Sequence, residues 1–139
     1  MFKVVKEVRW EAAHRLFPYI GRCANIHGHS WRAIFTFQKE NVNDTGMVID
    51  FTNVKKVVRK WIDAKWDHAC ILCYVDPLVT SLNITDNKIF TLGGNPTSEN
   101  MAKFLFDFFT KTFQGIDSEL KLESVEVFES ATSSAIYKS

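Results

Sequence analysis

Apolar and polar positions alternate over residues 2–12: Phe2, Val4, Val8, Trp10 and Ala12 share one parity, and only Lys6 breaks it. Lys3, Glu7, Arg9 and Glu11 take the other parity, which predicts a half-buried strand. His14 continues the apolar parity and is expected to point inward. Pro18, Gly21 and Asn25 mark a loop over 15–26. Alternation resumes at His27, with His29, Trp31, Ala33, Phe35 and Phe37 on its face. Ser30, Arg32, Thr36 and Gln38 lie opposite, and Ile34 is the exception.

A turn-rich segment over 41–46 leads to a short extended run, Met47-Val48-Ile49. Asp50 is placed to cap a helix in which Phe51, Val54, Val58, Trp61 and Ile62 recur at helical spacing. Residues 74–96 form a long excursion, with one short strand expected near Ile89–Leu92. Thr97 is an N-cap candidate with Glu99 in the first turn, and Met101, Phe104, Leu105, Phe108 and Phe109 make the next apolar stripe. Gly115 is a plausible stop. Two final strands are expected at Leu120–Ser130 and Ser134–Tyr137. The order predicts one α+β domain over residues 1–139, with both main helices on one face of an antiparallel sheet.

The chain has 139 residues, 46% apolar and 24% charged, and carries a net charge of +1. That balance offers no electrostatic footprint for nucleic acid and no polybasic membrane segment. No apolar run approaches a membrane span, and the N-terminus lacks a signal-peptide core. Three cysteines, an odd count, point to free thiols in a reducing compartment, so a cytoplasmic location is expected.

Three of the four histidines, His14, His27 and His29, fall on matched strand faces. Residues two apart in a strand project to one side, so His27 and His29 can reach one metal together. Three neutral imidazoles with an open position are the donor set of a catalytic zinc. A closed structural site with Cys23 as fourth ligand, or no metal at all, fits the same spacing. Cys23 is either an activated base or nucleophile, or an inert loop thiol. Asp67 and His68 are either a pair that activates a thiol or charges at a helix end. Cys70 and Cys73 lack a second pair or a flanking βαβ unit and read as buried thiols. Glu129 shares parity with Val125 and Val127. It either meets a ligand with paired N–H groups or sits at the sheet's rim.

Ala12-Ala13-His14-Arg15-Leu16, Cys23 with His27-Gly28-His29, and Gly46-Met47-Val48-Ile49-Asp50-Phe51 form a combined pattern with three later motifs. These are Trp66-Asp67-His68, Asn95-Pro96-Thr97-Ser98-Glu99-Asn100 and Val127-Phe128-Glu129. Nearly end to end, the chain resembles the 6-pyruvoyltetrahydropterin synthase / 6-carboxytetrahydropterin synthase family. The resemblance implies a T-fold (tunnelling fold): a four-stranded antiparallel sheet and two main helices, closed into a barrel by oligomerisation. A homohexamer, a dimer of trimers with active sites at subunit interfaces, follows from the same likeness. It implies zinc on His14, His27 and His29 and a lyase acting on 7,8-dihydroneopterin triphosphate. Cys23 would be the base, with Asp67 and His68 completing its relay from a neighbouring subunit. Glu129 would anchor the pterin, aided by Thr97 and Ser98.

Three residues separate Cys23 from His27, which resembles the carboxy-forming branch of queuosine and deazapurine biosynthesis. That branch releases acetaldehyde and triphosphate. The alternatives are the pyruvoyl-forming triphosphate elimination of tetrahydrobiopterin-type pathways, and a non-catalytic zinc- or pterin-binding protein. Ser130 stands where the family often has threonine, and the excursion after His68 is longer than in the shortest members. Arg15 and Arg22 are candidates for holding the triphosphate by proximity to the metal motif.

Overall fold

The computed structural model describes residues 1–139. Strand β1 (Phe2–His14) is followed by a 3-10 turn (Arg22–Ala24), strand β2 (His27–Lys39), helix α1 (Phe51–Lys65) and strand β3 (Ala69–Cys73). Then come helix α2 (Leu78–Ile84), strand β4 (Ile89–Leu92), helix α3 (Ser98–Ile116) and strands β5 (Lys121–Phe128) and β6 (Ser134–Lys138).

β1 and β2 pair antiparallel along their whole length, from Phe2↔Lys39 to His14↔His27. Their shared parity is what drives the pairing: Trp10, Ala12, Trp31, Ala33, Phe35 and Phe37 all bury on one face. β5 adds to β2 and β6 to β5, both antiparallel, giving the four strands expected. A register shift between Thr36 and Phe37 lets β2 keep its aromatic face inward while its partner strand bends.

The sheet is wider than the four expected strands. β3 pairs parallel to β1 and β4 parallel to β3, so six strands run in the order β4-β3-β1-β2-β5-β6. β3 has no alternating pattern because Ala69, Ile71, Leu72 and Cys73 are all buried, as covered parallel strands are. The short strand at Ile89–Leu92 is where the pattern put it. Helix α2 went unforeseen, and it lacks any fully buried residue that would give it an apolar stripe.

α1 and α3 cover the apolar face. Asp50 accepts from the Thr52 amide at the start of α1, and Val54, Val58 and Ile62 are fully buried. Phe51 departs from the expected stripe and stays exposed. Thr97 caps α3, which buries Met101, Leu105, Phe109 and Phe113, whereas Phe108 is partly exposed. The helix runs through Gly115 and ends one residue later. Phe35 meets Phe109 edge-on at 5.6 Å, and Phe37 meets Phe113 at 4.8 Å. Met47-Val48-Ile49 is a bend rather than a strand, pinned where Val48 enters the core. β5 stops at Phe128, so Glu129 and Ser130 begin the final hairpin turn. No helix is long and apolar enough to cross a membrane.

Candidate metal centre

The β1–β2 register sets His14 opposite His27, and His29 lies two residues along the same face. Trp31 forms the floor, its ring centroid 4.9 Å from that of His14 and 5.2 Å from that of His29. The Trp31 indole N–H donates to the Ala12 carbonyl at 3.1 Å, which ties the floor to β1.

His14 Nδ1 lies 2.8 Å from the Pro96 carbonyl, and His27 Nδ1 lies 2.7 Å from the Asn25 carbonyl. A carbonyl only accepts, so both Nδ1 atoms carry the ring proton, and the neutral rings present their Nε2 lone pairs inward. Those two Nε2 atoms are 3.0 Å apart. Glu129 Oε1 stands 3.2 Å from His14 Nε2 and 3.0 Å from His29 Nε2. His29 Nε2 is buried and has no well-oriented hydrogen-bond partner despite that carboxylate.

All four ligand atoms lie within 4.8 Å of one another. Ligand atoms on a tetrahedral zinc are separated by about 3.3 Å, given zinc–nitrogen bonds of about 2.0–2.1 Å. Converging lone pairs, an orphaned imidazole nitrogen and a nearby carboxylate all fit a cation at the centre. Burial, foremost, and the neighbouring His27 and His29 hold His14 below its ordinary pKa, against the opposing Pro96 carbonyl and Glu129. A neutral His14 is the ligand form.

Beside the cluster is a cavity of about 190 Å³. It is lined by His14, Leu16, Cys23, Thr97, Ser98, Glu99, Glu129, Ser133 and Ser134. Cys23 is carried by the 3-10 turn, fastened where its carbonyl accepts from the Leu16 amide at 2.7 Å. Thus Cys23, Thr97, Ser98 and Glu129, which the family resemblance grouped, line one cavity. Cys23 is not among the clustered ligand atoms, which Glu129 completes instead.

Asp67 and His68 lie elsewhere. They bond to each other at 2.9 Å, but His68 lines an open cleft of about 390 Å³ with Glu11, Ala13, Gly28 and Ser30. Within one chain, therefore, His68 and Cys23 line different cavities. Burial works against ionisation of Asp67, yet hydrogen bonds from the Glu11 amide and His68 outweigh it and lower its pKa.

Of the two candidate cations, Arg15 is already engaged. Its Nε and Nη2 grip both oxygens of the buried Asp76 at 2.7 and 2.5 Å. Cys70 and Cys73 are free thiols on β3, and burial, followed by Asp76, pushes the Cys70 thiol up. Sequence reasoning missed Glu99 as a cavity residue. Its signals were its place two residues after Thr97 and its membership of the Asn95–Asn100 motif. The Pro96 and Asn25 carbonyls carry no sequence signal.

A model of the family described as 6-pyruvoyl tetrahydropterin synthase matches residues 3–139. The chain belongs to this family. Among relatives of this synthase-family chain is the 6-carboxy-5,6,7,8-tetrahydropterin synthase of Rickettsia typhi. It is 34% identical over 132 residues, covering 93% of this chain and 94% of that one. The protein of the same name from Aquifex aeolicus is 31% identical, covering 99% and 98%. A solved structure of an uncharacterized protein from Wolinella succinogenes superposes with a TM-score of 0.86 at 21% identity, covering 99% and 97%. The 6-pyruvoyl tetrahydropterin synthase of Plasmodium falciparum does so with a TM-score of 0.74 at 20% identity, again covering 99% and 97%. The α+β architecture is a T-fold.

Proposed function

We propose that this chain is a zinc-dependent 6-carboxy-5,6,7,8-tetrahydropterin synthase. It converts 7,8-dihydroneopterin triphosphate to 6-carboxytetrahydropterin, releasing acetaldehyde and triphosphate in a deazapurine pathway such as that of queuosine. The observation that carries this reading is the convergence of three imidazole Nε2 atoms beside a cavity that also holds Cys23. The name shared by relatives about a third identical over nearly the whole chain supports the carboxy-forming branch.

His14, His27 and His29 would hold the zinc. When bound there, the ion would supply Lewis-acid polarisation of the substrate's side-chain oxygens. The Cys23 thiol, opening on the same cavity, moves protons at the pterin side chain. Glu129 keeps one oxygen against the imidazoles of His14 and His29, where its charge would offset that of a bound cation. Glu99 then remains as the carboxylate of the cavity with no protein partner, suited to the paired N–H edge of a pterin. Thr97 and Ser98 offer hydroxyls at the N-terminus of α3. Asp67 and His68 would complete the proton relay from a neighbouring subunit of a homohexamer, because Cys23 of their own chain opens on a cavity that His68 does not line.

Product analysis of the zinc-loaded protein with 7,8-dihydroneopterin triphosphate tests this reading. Acetaldehyde with 6-carboxytetrahydropterin is the expected outcome, and a pyruvoyl product without acetaldehyde would move the chain to the other branch. Cys23→Ala should keep its zinc and lose turnover by roughly a hundredfold or more. Undiminished turnover would remove Cys23 from the mechanism.

A further inference from the structure

The peptide joining Asp67 to His68 is held at both of its polar atoms. Its N–H donates to the Glu11 carbonyl at 2.6 Å, and its C=O accepts from Lys88 Nζ at 2.6 Å. The Asp67 carboxylate adds a third tie, accepting from the Glu11 amide at 2.9 Å and bonding His68 Nδ1 at 2.9 Å. These ties act on an uncommon backbone conformation. His68 has φ of 60°, in the left-handed region that few non-glycine residues occupy, though histidine enters it more readily than most.

Lys88 reaches this peptide from the far end of the 74–96 excursion. Its own carbonyl accepts from the Cys70 amide at 2.9 Å, which fixes its stem at the start of the β3–β4 pairing. Its Nζ also reaches the end of α1, donating to the Asp63 carbonyl at 2.8 Å. A helix-capping lysine would need only the Asp63 bond. The second bond goes beyond the helix, to the one peptide whose plane sets where His68 points. Lys88 and His68 also line one cavity together.

We propose that Lys88 is a positioning residue for the Asp67–His68 pair, and that presenting it is a task of the excursion. This rests on the proposed function only in giving the pair a part in catalysis; the hold on the peptide stands separately. Loss of the ammonium frees the Asp67 carbonyl, lets the left-handed turn relax and moves the imidazole off its bearing. Misplacement of a proton-relay group by a fraction of an ångström lowers turnover without weakening substrate binding.

The test uses zinc-loaded full-length protein and four variants: Lys88→Met, Lys88→Arg, His68→Ala and the Lys88→Met/His68→Ala double. Native-state hydrogen exchange at the His68 amide should accelerate about tenfold or more in Lys88→Met while amides of the β1–β2 pairing stay protected. With 7,8-dihydroneopterin triphosphate, kcat should fall about tenfold with KM within about twofold, and Lys88→Arg should restore most of it. In the His68→Ala background the Lys88→Met change should cost nothing further, since both act through one group. Unchanged exchange at His68, or an equal kcat loss with and without the imidazole, would overturn the role of Lys88 alone. Full turnover by His68→Ala would instead refute the relay in the proposed function, and this positioning role with it.

Discussion

Asp76→Ala should be among the most damaging single changes outside the aromatic core. The Asp76 side chain is fully buried, and the Arg15 guanidinium that grips both its oxygens is 21% exposed. One of those oxygens also accepts from the Leu78 amide at 2.9 Å and so starts α2. Removing one member of a buried ion pair costs about 3–5 kcal/mol, because the other charge is left without a partner. Arg15 keeps some water, which places the loss near the lower end, about 3 kcal/mol. For a chain of this size that corresponds to a fall in Tm of roughly 9 °C. Asp76→Asn keeps the volume and an acceptor for Leu78, so it should lose less, about 2 kcal/mol.

The pH dependence gives a second handle on the same pair. Hydrogen bonds from Arg15 hold the Asp76 carboxyl below the usual range despite burial. A carboxyl with a depressed folded pKa contributes stability that is fully present above its unfolded value, about 3.9, and lost as pH falls through the folded value. The gap in Tm between the parent and Asp76→Asn should therefore be constant from about pH 7 to 5 and narrow below about pH 4. Thermal unfolding by circular dichroism at matched protein concentration measures both effects. A Tm loss under about 3 °C for Asp76→Ala, or a gap that persists into acid, would refute the reasoning.

Two further outcomes follow from the site. His27→Ala removes one of three converging nitrogens and should cut zinc affinity by at least about a hundredfold, read by competition with a chromophoric chelator. Equal affinity would mean that zinc binds elsewhere. Glu99→Gln keeps the size of the side chain but not its charge and should raise KM about tenfold or more with zinc content unchanged. An unaltered KM would leave the pterin edge to another group.

The frame of the fold was legible because it rests on period. Strict alternation through Trp10, Ala12 and His14, and again through His29, Trp31 and Ala33, specifies two strands and the face each buries. Once two such strands pair, the histidines share a side, so their clustering could be read before any coordinates. Thr97 and Asp50 marked helix starts because a side-chain oxygen accepting from a backbone amide is local chemistry. β3 was hidden because a strand covered on both faces has no polar parity to display, and α2 because it has no fully buried stripe.

What needed the tertiary structure were interactions between segments distant along the chain. The Pro96 carbonyl fixes the His14 tautomer across 82 residues, and a backbone oxygen has no signature in sequence. Arg15 looked free for phosphate beside the metal motif until folding brought Asp76 against it. Glu129 was placed by parity on the buried side, but only the packed hairpin turn sets its carboxylate against the imidazoles. The chain encodes which groups are available through residue type and period. Which of them meet is decided by the assembly of a six-stranded sheet, where a contact depends on every register between its two partners.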